Sequence, residues 1–273
     1  MKKAICLGNG LSLRTDLPQL VSRGINGVLI AGDIATKPSD CEFARQCGVD
    51  FLIVDVSWKP QMKQTVDQID AEYYYIDEPY AMKHHSDEEL KEIVDYIKLK
   101  RPNSKFIIGD IRVIQEKKYK PIPGLYYTYT SYINNWFIPI VDKCLPFGGP
   151  DQSPSLRRIH KKTGGMVPFI WVYGQNKLLC HPDEYHKLYK TGEELGVDFL
   201  MFYAGDGGSG AEDKYRLNQV TKAQLWDNLD HFIKNEKPYT FTEWWKRFFN
   251  RWAVSFSYLF KTWNFKDFIN TLF

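Results

Sequence analysis

The stretches FLIVDVS (51–57) and YYYIDEP (73–79) decide the fold, because each is a continuous apolar run that leads into acidic residues. Continuous β-branched and aromatic runs are typical of parallel strands that are buried on both faces. Six further runs share the pattern: AICLGN (4–9), GVLIAGD (27–33), KFIIGD (105–110), LYYTYTS (125–131), PFIWVYGQ (168–175) and FLMFYAGD (199–206). Mainly helical or loop stretches separate the eight runs.

Eight strand-then-helix units in about 235 residues match the count and size of a closed (β/α)8 barrel. We therefore predict an α/β fold in which residues 1–235 form a TIM barrel and residues 236–273 form a helical tail. In that fold the chemistry takes place at the C-terminal ends of the strands. The candidates at those ends are Asn9, Asp33, Asp55, Asp77, Glu78, Asp110, Gln175 and Asp206.

Composition and charge narrow the classes of partner and compartment. The net charge is +3, and residues 236–273 hold six Lys/Arg against three Asp/Glu, which leaves the barrel portion about neutral. A neutral barrel argues against a nucleic-acid partner. The five cysteines show no paired spacing, which favours reduced thiols. Neither a signal peptide nor an apolar run of membrane-spanning length is recognisable. We expect a cytoplasmic protein, or one packaged into a larger assembly such as a virion.

Signals for helices and loops lie between the strands. Ser86 and Glu89 form a capping box before an amphipathic segment. Pro182 opens a helix that is expected to run to about Leu195, with Gly196 at its C-terminal cap. The segment 132–165 is long and rich in Pro and Gly, and we predict a loop that acts as a lid or rim.

The end of the fourth strand carries the sharpest motif. Asp77 and Glu78 are followed at once by Pro79, which ends the strand and fixes the turn that bears the carboxylates. This motif resembles that of the (β/α)8 glycoside hydrolases, in which an Asn-Glu-Pro or Asp-Glu-Pro at the end of strand four supplies the acid/base carboxylate. The resemblance implies a carbohydrate substrate, with Glu78 as the general acid/base and Asp77 as the polar residue before it.

One departure from that pattern leaves the second catalytic group open. Families with this motif usually place a nucleophilic Glu at the end of strand seven, where this chain has Gln175. A glutamine cannot form a glycosyl ester, and either stereochemical outcome requires a second carboxylate. Asp206 is the first choice, and Asp33, Asp55 and Asp110 are alternatives that otherwise bind substrate. Strand-end acids can also cap helices and bond loop amides, and the site could be inactive.

Aromatic side chains near other strand ends resemble the sugar-stacking walls of such enzymes. The predicted substrate-binding set comprises Trp58, Tyr129, Trp171, Tyr173 and Tyr203, together with Gln175.

Other chemistries fit the chain less well. His84 and His85 are adjacent and point apart, so we predict no metal site, and no cofactor motif is convincing. The turn AGDGGSG (204–210) holds Asp206, which would repel a phosphate.

The N-terminal stretch offers a second resemblance. CLGNGLSL (6–13) is similar to the opening of some Rossmann-like glycosyltransferases and pterin-pyrophosphokinase-like proteins. That match covers one turn only, and eight strands do not suit a single nucleotide-binding sheet.

The tail is aromatic and basic, and residues 240–272 are predicted to form amphipathic helices. Trp244, Phe248, Trp252 and Phe256 recur at helical spacing. The aromatic face could pack on the barrel, dock on a protein partner or a second copy, or lie on an anionic membrane surface.

Taken together, the strand pattern and the Asp-Glu-Pro motif lead us to expect a hydrolase-like barrel. The alternative is a non-catalytic barrel, either glycan-binding or structural, that attaches through its C-terminal helices.

Overall fold

In the computed structural model, the described residues include nine strand segments that together form one parallel sheet. The structure describes residues 1–7, 11–30, 36–57, 61–77, 85–109, 120–123, 125–127, 129–130, 153–163, 170–172, 182–203, 226, 229–230 and 232–234. The strands are β1 (Lys2–Cys6), β2 (Gly27–Ile30), β3 (Phe51–Asp55), β4 (Tyr73–Asp77), β5 (Lys105–Gly109), β6 (Leu125–Tyr127), β7 (Tyr129–Thr130), β8 (Ile170–Val172) and β9 (Phe199–Tyr203). Each of the eight predicted runs contains strand residues.

Helices connect most of the strands. They are α1 (Leu13–Ser22), α2 (Pro38–Gln46), α3 (Met62–Gln68), α4 (Asp87–Lys100), α5 (Ser153–Lys162) and α6 (Pro182–Leu195). Trp226, Leu229, Asp230 and residues 232–234 are also helical. Strands that alternate with helices and pair in parallel confirm the predicted α/β class.

The strand order follows the chain. From one end of the sheet to the other it reads β6-β5-β4-β3-β2-β1-β9-β8-β7, and every pairing between neighbours is parallel. Strands β1 to β6 form a curled half-barrel in sequence order. The C-terminal ends of all these strands therefore lie along one edge, as the predicted site requires.

Contacts between distant strands show that the sheet curls around a packed interior. The ring centroids of Phe51 on β3 and Phe199 on β9 are 4.8 Å apart, although two strands separate β3 from β9. In a flat sheet those strands would lie about 14 Å apart. Tyr73 on β4 lies 5.0 Å from Phe199, centroid to centroid. Gly27 makes room for this packing, because a Cβ there would meet the Phe51 ring at 2.2 Å.

A second, larger core lies between the sheet and the helices. Strand residues such as Val28 and Leu52 belong to one buried cluster with apolar helix residues such as Leu17, Leu20 and Val94. The predicted capping box is confirmed, since the Ser86 hydroxyl accepts from Glu89 N–H and the Glu89 carboxylate accepts from Ser86 N–H. Helix α6 begins at Pro182 and ends at Leu195, and Gly196 follows with φ +69°, as predicted.

The prediction of an uninterrupted loop over 132–165 is wrong for residues 153–162, which form helix α5. The buried Leu156 and the partly buried His160 lie one turn apart and form the inner side of this helix. The surrounding Pro and Gly residues and four closely spaced cations make this short buried side of the helix hard to predict from composition.

The helical residues after β9 pack back on the start of the chain. The Arg23 guanidinium pairs with Asp230 at 2.6 Å and lies 4.6 Å from the centre of the Trp226 ring. The rings of Phe202 and Phe232 are 5.2 Å apart. The predicted tail, residues 236–273, lies outside the described residues.

Candidate functional site

Two of the predicted acids end adjacent strands at the carboxyl edge of the sheet. Asp55 is the last residue of β3 and is the register partner of Tyr75 on β4. Asp77 ends β4, two residues beyond Tyr75, and pairs with Gly109 on β5. From the strand spacing and rise, the Asp55 and Asp77 backbones are about 8 Å apart. The topology therefore places these two backbone positions at the ends of adjacent strands, on the same edge of the sheet.

Hydrogen bonds hold the Asp55 carboxylate in a defined position. Its Oδ1 accepts from the backbone N–H of Ser57 at 2.8 Å and also from the Ser57 hydroxyl. This arrangement is an Asx turn, in which the aspartate side chain supplies the acceptor for a backbone N–H just beyond the strand. Val56 N–H donates to the Tyr75 carbonyl at 2.8 Å, so the β3–β4 ladder continues one residue past Asp55. Asp55 thus has a structural role in the turn and is partly exposed at the strand ends.

Thr36 ties the end of the β2–α2 connection to the same edge. Its hydroxyl donates to the Ile30 carbonyl at 3.1 Å and, with longer geometry, to the Asp55 carbonyl at 3.4 Å. Ile30 ends β2, so one side chain links the ends of two neighbouring strands. Preorganised positions of this kind are what a binding site needs, because its groups are then held before a ligand arrives.

The opposite end of the curled interior is filled. Phe51, Tyr73 and Phe199 pack together there, and the Tyr73 hydroxyl donates to the Asp198 carboxylate at 2.9 Å. The Lys105 ammonium pairs with the same carboxylate. Above this floor the interior is apolar, with Ala4, Leu29, Ile53, Tyr75, Ile107 and Met201 in one buried cluster. Side chains that bind or react with a polar ligand are therefore expected at the carboxyl edge of the sheet, where Asp55 lies.

The remaining predicted site residues divide into two groups. For Asp77, Tyr129, Trp171 and Tyr203 the structure gives the backbone position, in β4, β7, β8 and β9 respectively. The other predicted residues lie outside the described residues: Asn9, Asp33, Trp58, Glu78, Asp110, Tyr173, Gln175 and Asp206.

Two polar residues at this edge were not among the predicted site residues. Ser57 and Thr36 hold Asp55 and the ends of β2 and β3. The Asp-x-Ser spacing is a signal for the first, because Asp side chains commonly bond the N–H two residues on. Thr36 has no comparable signal, since its partners are carbonyls on two strands.

In the described part of the chain, no group of three or more His, Cys, Asp or Glu side chains is arranged to hold a metal ion. Within the same residues, every helix is too short or too polar to span a bilayer. His85 is buried just before α4, and His84 lies outside the described residues.

Comparison with solved structures identifies the fold. The chain is similar to the Clostridial cellulose synthase subunit Z from Clostridioides difficile, with 12% identity and a TM-score of 0.51, over 84% of this chain and 99% of that one. It is also similar to D-psicose 3-epimerase from Clostridium cellulolyticum H10, with 8% identity, a TM-score of 0.50 and coverage of 86% and 96%. This is the parallel α/β fold of TIM-barrel enzymes.

A third similar structure is a tri-modular GH5 endo-β-1,4-glucanase from Bacillus licheniformis, with 12% identity and a TM-score of 0.51. The match covers 85% of this chain and 60% of that one, so it spans less than two thirds of the multi-module enzyme. No protein-family profile and no curated protein matches the sequence. At these identities the comparisons establish a shared fold.

Proposed function

We propose that the chain is a glycoside hydrolase-like barrel in which Glu78 is the general acid/base. The observation that carries the proposal is that Asp55 and Asp77 end adjacent parallel strands at the same edge, next to an interior packed with apolar side chains. Glu78 is the next residue in the chain after Asp77. A glycosidase needs two carboxylates on either side of the scissile bond, and adjacent strand ends are a suitable source.

The proposal includes closure of the barrel. Strands β6 and β7 stand at the two ends of the sheet order, yet only Thr128 separates them in the chain. We expect residues 125–130 to form one strand that pairs with β5 through its first half and with β8 through its second half. Eight parallel strands would then enclose the interior, and all their C-terminal ends would converge.

In this mechanism Glu78 donates a proton to the glycosidic oxygen as the bond from that oxygen to the anomeric carbon breaks. A second carboxylate then acts in one of two ways. It attacks the anomeric carbon and is later displaced by water, or it deprotonates a water molecule that attacks directly. Asp206 is the proposed second carboxylate, because Gln175 cannot attack as a nucleophile.

The remaining residues are assigned to binding in this proposal. The Asp55 carboxylate, held by Ser57, is suited to accept from a sugar hydroxyl. Asp33 and Asp110 are proposed to do the same, while Trp58, Tyr129, Trp171, Tyr173 and Tyr203 stack on sugar rings and Gln175 bonds a hydroxyl. Three of the similar solved structures support a carbohydrate ligand: the glucanase, the epimerase with D-tagatose and the cellulose synthase subunit.

The test is turnover by matched variants on a panel of neutral and acidic polysaccharides. Glu78→Gln should lower kcat by at least about 1000-fold, since general acid catalysis and charge placement are both removed. Asp206→Asn should do the same, whereas Asp198→Asn, at the opposite end of the interior, should retain turnover. Circular dichroism melts check that each variant folds. If Glu78→Gln turns over as fast as the parent chain, the assignment of Glu78 is wrong.

A second candidate function is a non-catalytic barrel, glycan-binding or structural, that attaches through residues 240–272. Gln175, at the position where related barrels have a nucleophilic Glu, favours it, and so does the aromatic tail. That candidate predicts glycan binding without turnover by the parent chain. It also predicts that deleting residues 238–273 changes the mass measured by light scattering while the barrel stays folded.

A further inference from the structure

Helix α5 (Ser153–Lys162) differs in charge from every other described helix. It contains Arg157, Arg158, Lys161 and Lys162 and has no Asp or Glu, whereas each of α1, α2, α3, α4 and α6 contains at least one acid. Opposite charges four residues apart stabilise a helix, and like charges at that spacing repel. Both i,i+4 pairs here, Arg157 with Lys161 and Arg158 with Lys162, are like-charged.

The four cations occupy one side of the helix. At 3.6 residues per turn, their positions fall within an arc of about 140°. Leu156 is fully buried and His160 partly buried on the other side, so the apolar face is already used in packing. Arg157, Arg158 and Lys161 are exposed. We refer to Arg157, Arg158, Lys161 and Lys162 as the α5 cationic face.

Two of the four cations have no acidic partner among the residues that the structure describes. Arg157 pairs with Glu194 of the neighbouring helix α6. Arg158 and Lys161 form no ion pair with any residue that the structure describes. Lysines in the last turn interact favourably with the helix dipole, which accounts for Lys161 and Lys162. The dipole does not account for Arg157 and Arg158, which lie in the middle of the helix.

We propose that the α5 cationic face binds an acidic polysaccharide. This extends the carbohydrate role proposed above to a second surface, on the outside of the barrel. A membrane is a poorer fit, because interfacial helices insert large apolar side chains and the apolar side of α5 is buried in the protein. A nucleic acid is also a poorer fit, because the chain has a net charge of only +3 and the α5 cationic face is limited to one short helix. An acidic polysaccharide carries carboxylates at intervals along its chain, so a few of them can pair with the small group of cations on the α5 cationic face.

The test compares two forms of one polymer on the immobilised chain of 273 residues. Polygalacturonate carries free carboxylates, and its methyl-esterified form has the same backbone without the charge. The chain carries Glu78→Gln in all arms so that no substrate is consumed. At about 50 mM salt, polygalacturonate should bind at least about tenfold more tightly than the ester, and the difference should shrink as salt rises.

The decisive variant is Arg158→Gln with Lys161→Gln, which should weaken polygalacturonate binding about tenfold. The matched control is Lys91→Gln with Lys98→Gln, two exposed lysines of helix α4 that lie among acids. It should change affinity by less than about twofold. Equal losses in both variants, or equal binding of the two polymers, would overturn the proposal. So would tighter binding to duplex DNA or to phosphatidylserine vesicles, which would assign the face to those partners instead.

The two proposals fail separately. The binding measurement uses a chain that lacks Glu78, so loss of the catalytic assignment leaves its result unchanged. Polymer binding that depends on Arg158 and Lys161, without turnover by the parent chain, would keep this inference and remove the hydrolase.

Discussion

The contact between Phe51 and Phe199 allows a direct test of the curled sheet in solution. Phe51 is on β3 and is 4% exposed, Phe199 is on β9 and is 1% exposed, and their ring centroids are 4.8 Å apart. We predict that Phe51→Leu and Phe199→Leu each lower the free energy of unfolding by about 1–2 kcal/mol. Because the rings touch, the double variant should deviate from additivity by about 0.5–1.5 kcal/mol.

The assay is urea denaturation of the four proteins in the cycle, followed by circular dichroism, with the m-value checked in each. A matched control pairs Phe51→Leu with Phe232→Leu. Phe232 is equally well buried, but it packs on Phe202 outside the sheet. That control cycle should be additive within about 0.5 kcal/mol. Additivity in the Phe51–Phe199 cycle as well would refute the curled interior, because in a flat sheet the two side chains are about 14 Å apart.

Two further predictions concern local stability and thiol reactivity. Ser86→Ala should lower the free energy of unfolding by about 1 kcal/mol, because it removes the side chain that caps Glu89 N–H. Ser86→Asp should retain most of that stabilisation, because Asp is also a good N-cap. Equal losses for the two variants in urea melts would argue against the capping box. Burial raises the pKa of the Cys41 thiol to about 11, with the Asp40 carboxylate adding to the effect. At pH 8 the folded chain should therefore alkylate at Cys41 far more slowly than the urea-unfolded chain, because the thiolate is the reactive form. Mass spectrometry of peptides after timed iodoacetamide treatment measures this, and a Cys41 rate equal in both states would contradict its burial.

Strand positions were predictable because parallel strands that are buried on both faces have continuous apolar sequences. The runs around 51–57 and 73–79 contain β3 and β4 as expected. The meeting of Asp55 and Asp77 at one edge also followed from topology, since parallel strands end on the same side. These inferences needed only local pattern and strand direction.

Other features depend on contacts that sequence patterns do not encode. Gly27 and Phe51 are register partners on neighbouring strands, and the Phe51 ring occupies the space that a side chain at position 27 would fill. That contact depends on the strand register, which the sequence pattern does not give. Helix α5 was missed because its apolar stripe is one turn long and its charges repel. The end of β3 at Asp55 was predicted, and the Asp-x-Ser spacing was a signal for the turn at Ser57, but the Thr36 hydrogen bonds to the ends of β2 and β3 had no sequence signal.

The most direct test of the proposed function is the separation of two carboxylates in an experimental structure of this chain with a bound oligosaccharide. The account predicts that the Glu78 carboxylate faces the interior at the C-terminal edge, close to that of Asp55. It also predicts a second carboxylate from it at about 5 Å, for a retaining enzyme, or about 6.5–9.5 Å, for an inverting one. A Glu78 carboxylate that points to the helix layer or to solvent, with every other carboxylate beyond about 10 Å, would contradict the hydrolase assignment.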